Sequence, residues 1–252
     1  MQPTCEIDLF WKALVNSVVV GSPSQAADAG VREVKGDKML SETQQMGRLH
    51  YKVFGPDEAQ AGLPVLCFLH GNGEHAGNMP IEQALAMHGP LKDDDLTRAA
   101  LAGRFWVVVP QLAAPGGNVW GAYADDVVAI VESVGRVYGA DPQRTYLTGF
   151  SYGGNGVFTV AARRPSPWAA LLSVDPPLKP LPRTQHPLWL ALGDRARTEA
   201  AALQRLGFAA ANEVDNSADH IFIDYGEGHT ETATLTYRDE RIYNWLLSRC
   251  LT

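Results

Sequence analysis

A chain of 252 residues, 46% hydrophobic and 19% charged, is long enough to bury a large core in one domain and too apolar for extended disorder. Its net charge of -7, with no run of Lys or Arg, excludes the basic footprint of a nucleic-acid binder, and no stretch is apolar for long enough to span a membrane. Cys5, Cys67 and Cys250 lack the close spacing of a zinc or redox motif and read as structural thiols.

Residues 1–45 read as an N-terminal extension and 46–252 as the domain. The extension holds the apolar "LFWKALVNSVVVG", residues 9–21, followed by "SPSQAADAG". Glu6 and Asp8 stand before it where a secretory signal carries basic residues. The expected compartment is therefore the cytoplasm, with secretion or an organelle as the alternative.

The domain pattern begins with "GRLHYKVFG", whose Leu49, Tyr51 and Val53 alternate as in a half-exposed strand. "PVLCFLH" and "FWVVVP" are continuous apolar runs, which suit strands buried on both faces. "AYADDVVAIVESVGRVYG" then reads as an amphipathic helix with Val127, Ile130, Val131, Val134 and Val137 on its buried side. After it, strands "TYLTGF", "WAALLSV", "PLWLALG" and "HIFIDYG" are interleaved with helices "GGNGVFTVAARR" and "RTEAAALQRLG", and "YRDERIYNWLLSR" closes the chain as one amphipathic helix. This alternation predicts an α/β class, a mostly parallel central sheet with helices on both faces. In such sheets the reactive groups gather at the carboxyl ends of the strands.

Gly149-Phe150-Ser151-Tyr152-Gly153 is a G-x-S-x-G element at a strand-to-helix junction. Glycines two residues on either side of the serine let strand and helix approach, and the sharp turn exposes the serine hydroxyl as in a nucleophile elbow. Upstream, "FLHGNGEHAGN" ends a buried strand in small residues. An oxyanion hole needs backbone N–H donors there and just after the nucleophile. Asn72 or Gly73 supplies the first and Tyr152 the second. Downstream, "DYGEGHTE" puts His229 in a glycine-rich loop after the last strand, where a general base can reach Ser151. His70 reads instead as a structural hydrogen-bonding residue beneath the oxyanion loop.

In these segments, taken in order from about Gly47 to Leu247, the chain resembles the α/β-hydrolase family, in particular the small serine esterases and predicted peptidases related to the phospholipase/carboxylesterase group. The resemblance implies a catalytic triad with Ser151 as nucleophile and His229 as base, and Asn72 and Tyr152 as oxyanion donors. The family's usual acid position, three residues after the glycine ending "PLWLALG", is Ala196 here. Asp175, in "LLSVDPPLKP", and Asp194, in "GDRAR", are the two replacements, and Asp175 is favoured because a similar placement occurs in pancreatic-type lipases.

Only ten residues separate "SVD" from "HPLWL", too few for a helical cap domain. Trp120 and Tyr123 offer flat apolar surface for substrate-binding walls, with core packing as their alternative reading. The expected activity is that of a serine carboxylesterase acting on a small-molecule ester, with thioester or peptide as variants, and without metal or organic cofactor. The alternative is a non-catalytic ligand-binding protein on the same scaffold, prompted by the displaced acid.

Overall fold

The computed structural model describes residues 38–39, 43–56, 60–114, 119–179, 181, 183–211 and 217–251. Lys38–Met39 (β1), Gln44–Met46 (β2) and Leu49–Gly55 (β3) open the sheet, the last two joined by a turn at Gly47, whose φ is +56°. Val65–Leu69 (β4) leads through a short 3-10 turn at Asn72–Glu74 into helices Ile81–His88 (α1) and Asp95–Leu101 (α2), and then Trp106–Gln111 (β5). A 3-10 turn at Trp120–Tyr123 precedes Ala124–Tyr138 (α3), followed by Thr145–Phe150 (β6), Tyr152–Arg163 (α4), Ala170–Val174 (β7) and Leu188–Leu192 (β8). The chain ends with Ala200–Arg205 (α5), Ala209–Ala210 (β9), His220–Asp224 (β10), His229–Arg238 (α6) and Glu240–Leu247 (α7).

These strands form one sheet in the order β1-β3-β5-β4-β6-β7-β8-β10-β9, with β2 on β3. The pairings of β3 are antiparallel and all others parallel. β4, β5, β6, β7 and β8 are buried along their whole length, as continuous apolar runs require of strands covered on both faces. Alternation along β4 sends Val65, Cys67 and Leu69 to one face, with α3 and α4, and Leu66 and Phe68 to the other, with α1, α2, α6 and α7. The chain steps from β4 out to β5 and returns past β4 to β6, so the winding reverses there and opens a crevice at the carboxyl ends of β4 and β6.

The structure corrects three details of the sequence reading. β2 pairs with β3, so the sheet starts ahead of the expected boundary at residue 46; residues 1–37, with the apolar stretch 9–21, lie outside the described residues. Val137 is 71% exposed. The helix turns past it and Tyr138 takes the inward place, stacked on Trp106 at 4.7 Å between ring centroids. The closing helix is two helices, broken at Asp239, whose backbone is extended and whose carboxylate accepts from Arg241 N–H to start α7. No helix among the described residues is long and apolar enough to cross a membrane.

Candidate active site

Ser151 occupies the single residue between β6 and α4, with φ +57° and ψ -123°. Among the described non-glycine residues only Ala102, Ser151 and Asp175 have positive φ, and two of these three belong to the site. Such backbone costs on the order of 1–3 kcal/mol and persists only where surroundings enforce it. Here Ser151 N–H donates to Val174 O at 2.9 Å, and α4 starts hard against the end of β4. A Cβ on Gly153 would lie 1.9 Å from Leu69 O, and one on Gly149 would lie 2.3 Å from Gly153 O. Both glycines flanking the serine are therefore steric requirements of the turn.

His229 is the first residue of α6, immediately after Gly228, so its place is a helix start rather than the open loop that the glycines suggest. Its Nε2 is 2.9 Å from Ser151 Oγ, and its Nδ1 is 2.6 Å from Asp175 Oδ2. Its ring packs on Phe150, centroids 4.5 Å apart. A carboxylate can only accept, so Nδ1 carries the proton and Nε2 is left to accept from the serine hydroxyl.

Asp175 directly follows β7 and is fully buried. Its Oδ1 accepts from Gly193 and Ala196 N–H, each at 2.8 Å, and its Oδ2 from Arg195 N–H at 3.3 Å. Burial pushes its pKa up, but the His229 hydrogen bond and these amides outweigh it and hold the carboxyl below its usual value. The loop after β8, where Ala196 stands, thus contributes amides in place of a side chain. Arg197 ties this loop to the histidine loop. Its Nε and Nη2 bind Asp224 at 2.7 and 3.0 Å, and Nη2 also donates to Glu227 O at 2.8 Å.

Asp194 is 52% exposed, with Arg195 Nε 3.7 Å from its carboxylate. One oxygen of Asp194, one of Asp175 and one ring nitrogen of His229 lie within 4.8 Å of one another. These three could reach one divalent cation, but Asp175 already spends both oxygens on three amides and the imidazole.

The prolyl oligopeptidase family model matches residues 117–219, a stretch that includes Ser151 and Asp175 and ends before His229. A thermostable esterase superposes at TM-score 0.59 with 16% identity, over 85% of this chain and 62% of its own. The S-formylglutathione hydrolase of Staphylococcus aureus does so at 0.56 with 15% identity, over 84% and 98%, and the acylaminoacyl peptidase of Pyrococcus horikoshii at 0.54 with 14% identity, over 84% and 41%. No curated protein matches by sequence. The fold is that of the α/β-hydrolases.

Within this α/β-hydrolase fold, no large cap interrupts the chain between β7 and β8. Of the expected site residues, the structure brings Ser151, His229 and Asp175 into one hydrogen-bonded line. Gly71, preceding Asn72, lies against the Ser151 turn, since a Cβ there would lie 3.4 Å from Ser151 Cβ. Asn72 and Gly73 are exposed at the turn after β4, and Tyr152 begins α4, whose first N–H groups have no intrahelical acceptor.

The aromatic walls are a correction. Trp120 is fully buried in the core on the α3/α4 face and cannot touch substrate; its indole N–H donates to His70 O at 3.1 Å. Tyr123 packs against the same core, with the Arg48 guanidinium 4.3 Å over its ring. Sequence reasoning also missed Glu74, 3% exposed, whose Oε2 accepts from Gly71 N–H at 2.7 Å. A charged residue three positions past Gly71, in the His-Gly that ends the strand, was the available signal.

Proposed function

We propose that this protein is a serine hydrolase that cleaves carboxylic esters through an acyl-enzyme. The observation that carries the reading is the unbroken line from Ser151 Oγ through the His229 ring to buried Asp175, at 2.9 and 2.6 Å. Three groups distant in sequence meet in the order and polarity that nucleophile, base and acid require. His229 Nε2 takes the Ser151 proton as Oγ attacks the ester carbonyl, and the tetrahedral oxyanion is met by the N–H groups of Asn72 and Tyr152. The same proton passes to the leaving alkoxide, releasing alcohol. Water, deprotonated by His229, then attacks the acyl-enzyme, and the carboxylic acid leaves as the proton returns to Ser151. Asp175 holds the imidazole tautomer and stabilises the imidazolium without itself taking the proton.

A small ester is the favoured substrate because the short β7–β8 connection leaves no cap over Ser151. Peptide cleavage is the second reading, supported by the match to the prolyl oligopeptidase family model; the same steps then expel an amine. Turnover of p-nitrophenyl acetate and butyrate, abolished in Ser151→Ala, is the expected result. An acyl-aminoacyl p-nitroanilide cleaved faster than either ester moves the assignment to peptides. No turnover of any of the three makes the protein a binder on a hydrolase scaffold.

A further inference from the structure

We propose that Glu74 is a positioning residue that aims the Asn72 N–H at the developing oxyanion by holding Gly71, a step that rests on the serine-hydrolase reading above. Gly71 joins two peptide units, and both are pinned. In the first, His70 C=O accepts from the Trp120 indole N–H at 3.1 Å, and Gly71 N–H donates to Glu74 Oε2 at 2.7 Å. In the second, Gly71 C=O lies 2.7 Å from His70 Nδ1. Leu112 N–H donates to His70 Nε2 at 3.0 Å, so the His70 proton resides on Nδ1 and is donated to Gly71 C=O. Burial pushes His70 down to about 4, against the pull of the Gly71 carbonyl, so the ring stays neutral in this role.

A trans peptide is planar, with its C=O and N–H pointing opposite ways. Fixing Gly71 C=O on buried His70 therefore turns Asn72 N–H away from it, to the side of the turn where Asn72 is exposed. Glu74 fixes the preceding unit through Gly71 N–H, so both units that meet at the Gly71 Cα are held, and Gln111 Nε2 donates to Glu74 O at 2.9 Å. A Cβ on Gly71 would already touch the Ser151 side chain, at 3.4 Å from its Cβ, so a tilt of this closely placed turn moves the donor relative to Ser151.

The carboxyl of Glu74 is expensive where it stands. Its Oε1 has no hydrogen-bond partner among the described residues, and burial pushes its pKa up to about 7 despite the Gly71 N–H. Tyr237, from α6, is held above its usual pKa chiefly by burial, with Glu74 a minor contributor, and its hydroxyl is hydrogen-bonded to Thr148 of β6 at 2.9 Å. Among the described residues Glu74 has no ion-pair partner, and its side chain accepts from Gly71 N–H, which leaves the grip on Gly71 as the function its geometry serves.

The test compares Glu74→Ala and Glu74→Gln in p-nitrophenyl acetate hydrolysis, with amide hydrogen exchange across residues 68–78. Glu74→Ala is expected to lower kcat about 10- to 100-fold, less than the about 10²- to 10³-fold of deleting an oxyanion donor, with KM within about 3-fold and faster exchange. Glu74→Gln, which keeps an acceptor for Gly71 N–H, is expected within about 3-fold of wild-type kcat. Should Glu74→Ala not fold, Glu74→Leu fills the volume without the acceptor and is judged by the same values. A wild-type protein with turnover and an alanine or leucine variant within about 2-fold of it in kcat overturns this proposal alone, as does a glutamine variant as slow as alanine. A wild-type protein without turnover overturns the hydrolase reading and this proposal with it.

Discussion

Two segments approach Ser151 from opposite sides of β6, the turn 70–78 from the β4 side and the loop 224–229 from the β10 side, and they are secured by different chemistry. The first is tied by bonds among groups almost wholly buried, His70, Glu74 and Trp120, at 1%, 3% and 0% exposure. The second is tied by a partly exposed ion pair, Arg197 with Asp224, and by the one bond from His229 to Asp175. Buried hydrogen bonds fix direction because a lost partner leaves an unsatisfied group, whereas exposed ion pairs contribute little and are screened by salt. On the proposed mechanism an oxyanion donor needs a fixed aim and a general base needs a ring that reorients between serine and leaving group, and the two anchorages suit those two needs.

The sharpest way to break this comparison is at Asp175, where the histidine side meets the core. Asp175→Asn is expected to lower kcat on p-nitrophenyl acetate by about 10³- to 10⁴-fold, since an amide no longer dictates the imidazole tautomer. Asp194→Asn, measured beside it, is expected within about 2-fold of wild type because that carboxylate is exposed and holds no amide. The reverse ranking would move the acid to the loop after β8.

A smaller effect separates the buried anchorage from the exposed one by pH. Glu74, raised from 4.5 to about 7, ionises earlier unfolded than folded, so its stabilising share is present at low pH and is lost as pH rises toward 7. Chemical denaturation at pH 5 and pH 8 is expected to show wild type losing about 2–3 kcal/mol relative to Glu74→Gln. Parallel stability curves for the two proteins would contradict the buried placement.

The smallest effect is on the exposed side. Arg197→Ala is expected to slow kcat by about 3- to 10-fold while leaving the denaturation midpoint near that of wild type. Raising salt to about 0.5 M should shrink the difference between wild type and variant, because screening weakens the pair in wild type alone. A difference unchanged by salt would place Arg197 among the buried supports.

The same division explains what the sequence made legible. Strands β4 to β8 were readable as unbroken apolar runs, and Ser151 was readable because a sharp turn leaves glycines at fixed offsets. His229 was readable from its glycine-rich surroundings, although not as the start of α6. Trp120 misled: an aromatic residue beside "PGGN" looks like a pocket wall, and only the tertiary fold shows its indole N–H on His70 O. The choice between Asp175 and Asp194 depends on the amides of Gly193, Arg195 and Ala196, which carry no side-chain signature at all. The short helices α1 and α2 lacked a long apolar period, yet Asp94, whose carboxylate accepts from Thr97 N–H at 2.8 Å, was a visible start signal for the second.

The most direct test of the central claim is the site of covalent labelling by a fluorophosphonate, read by peptide mass spectrometry. The account predicts one adduct, on Ser151, formed rapidly by wild type and at a rate reduced by orders of magnitude in His229→Ala. No adduct, or an adduct on another residue that forms equally fast in the two proteins, would contradict it.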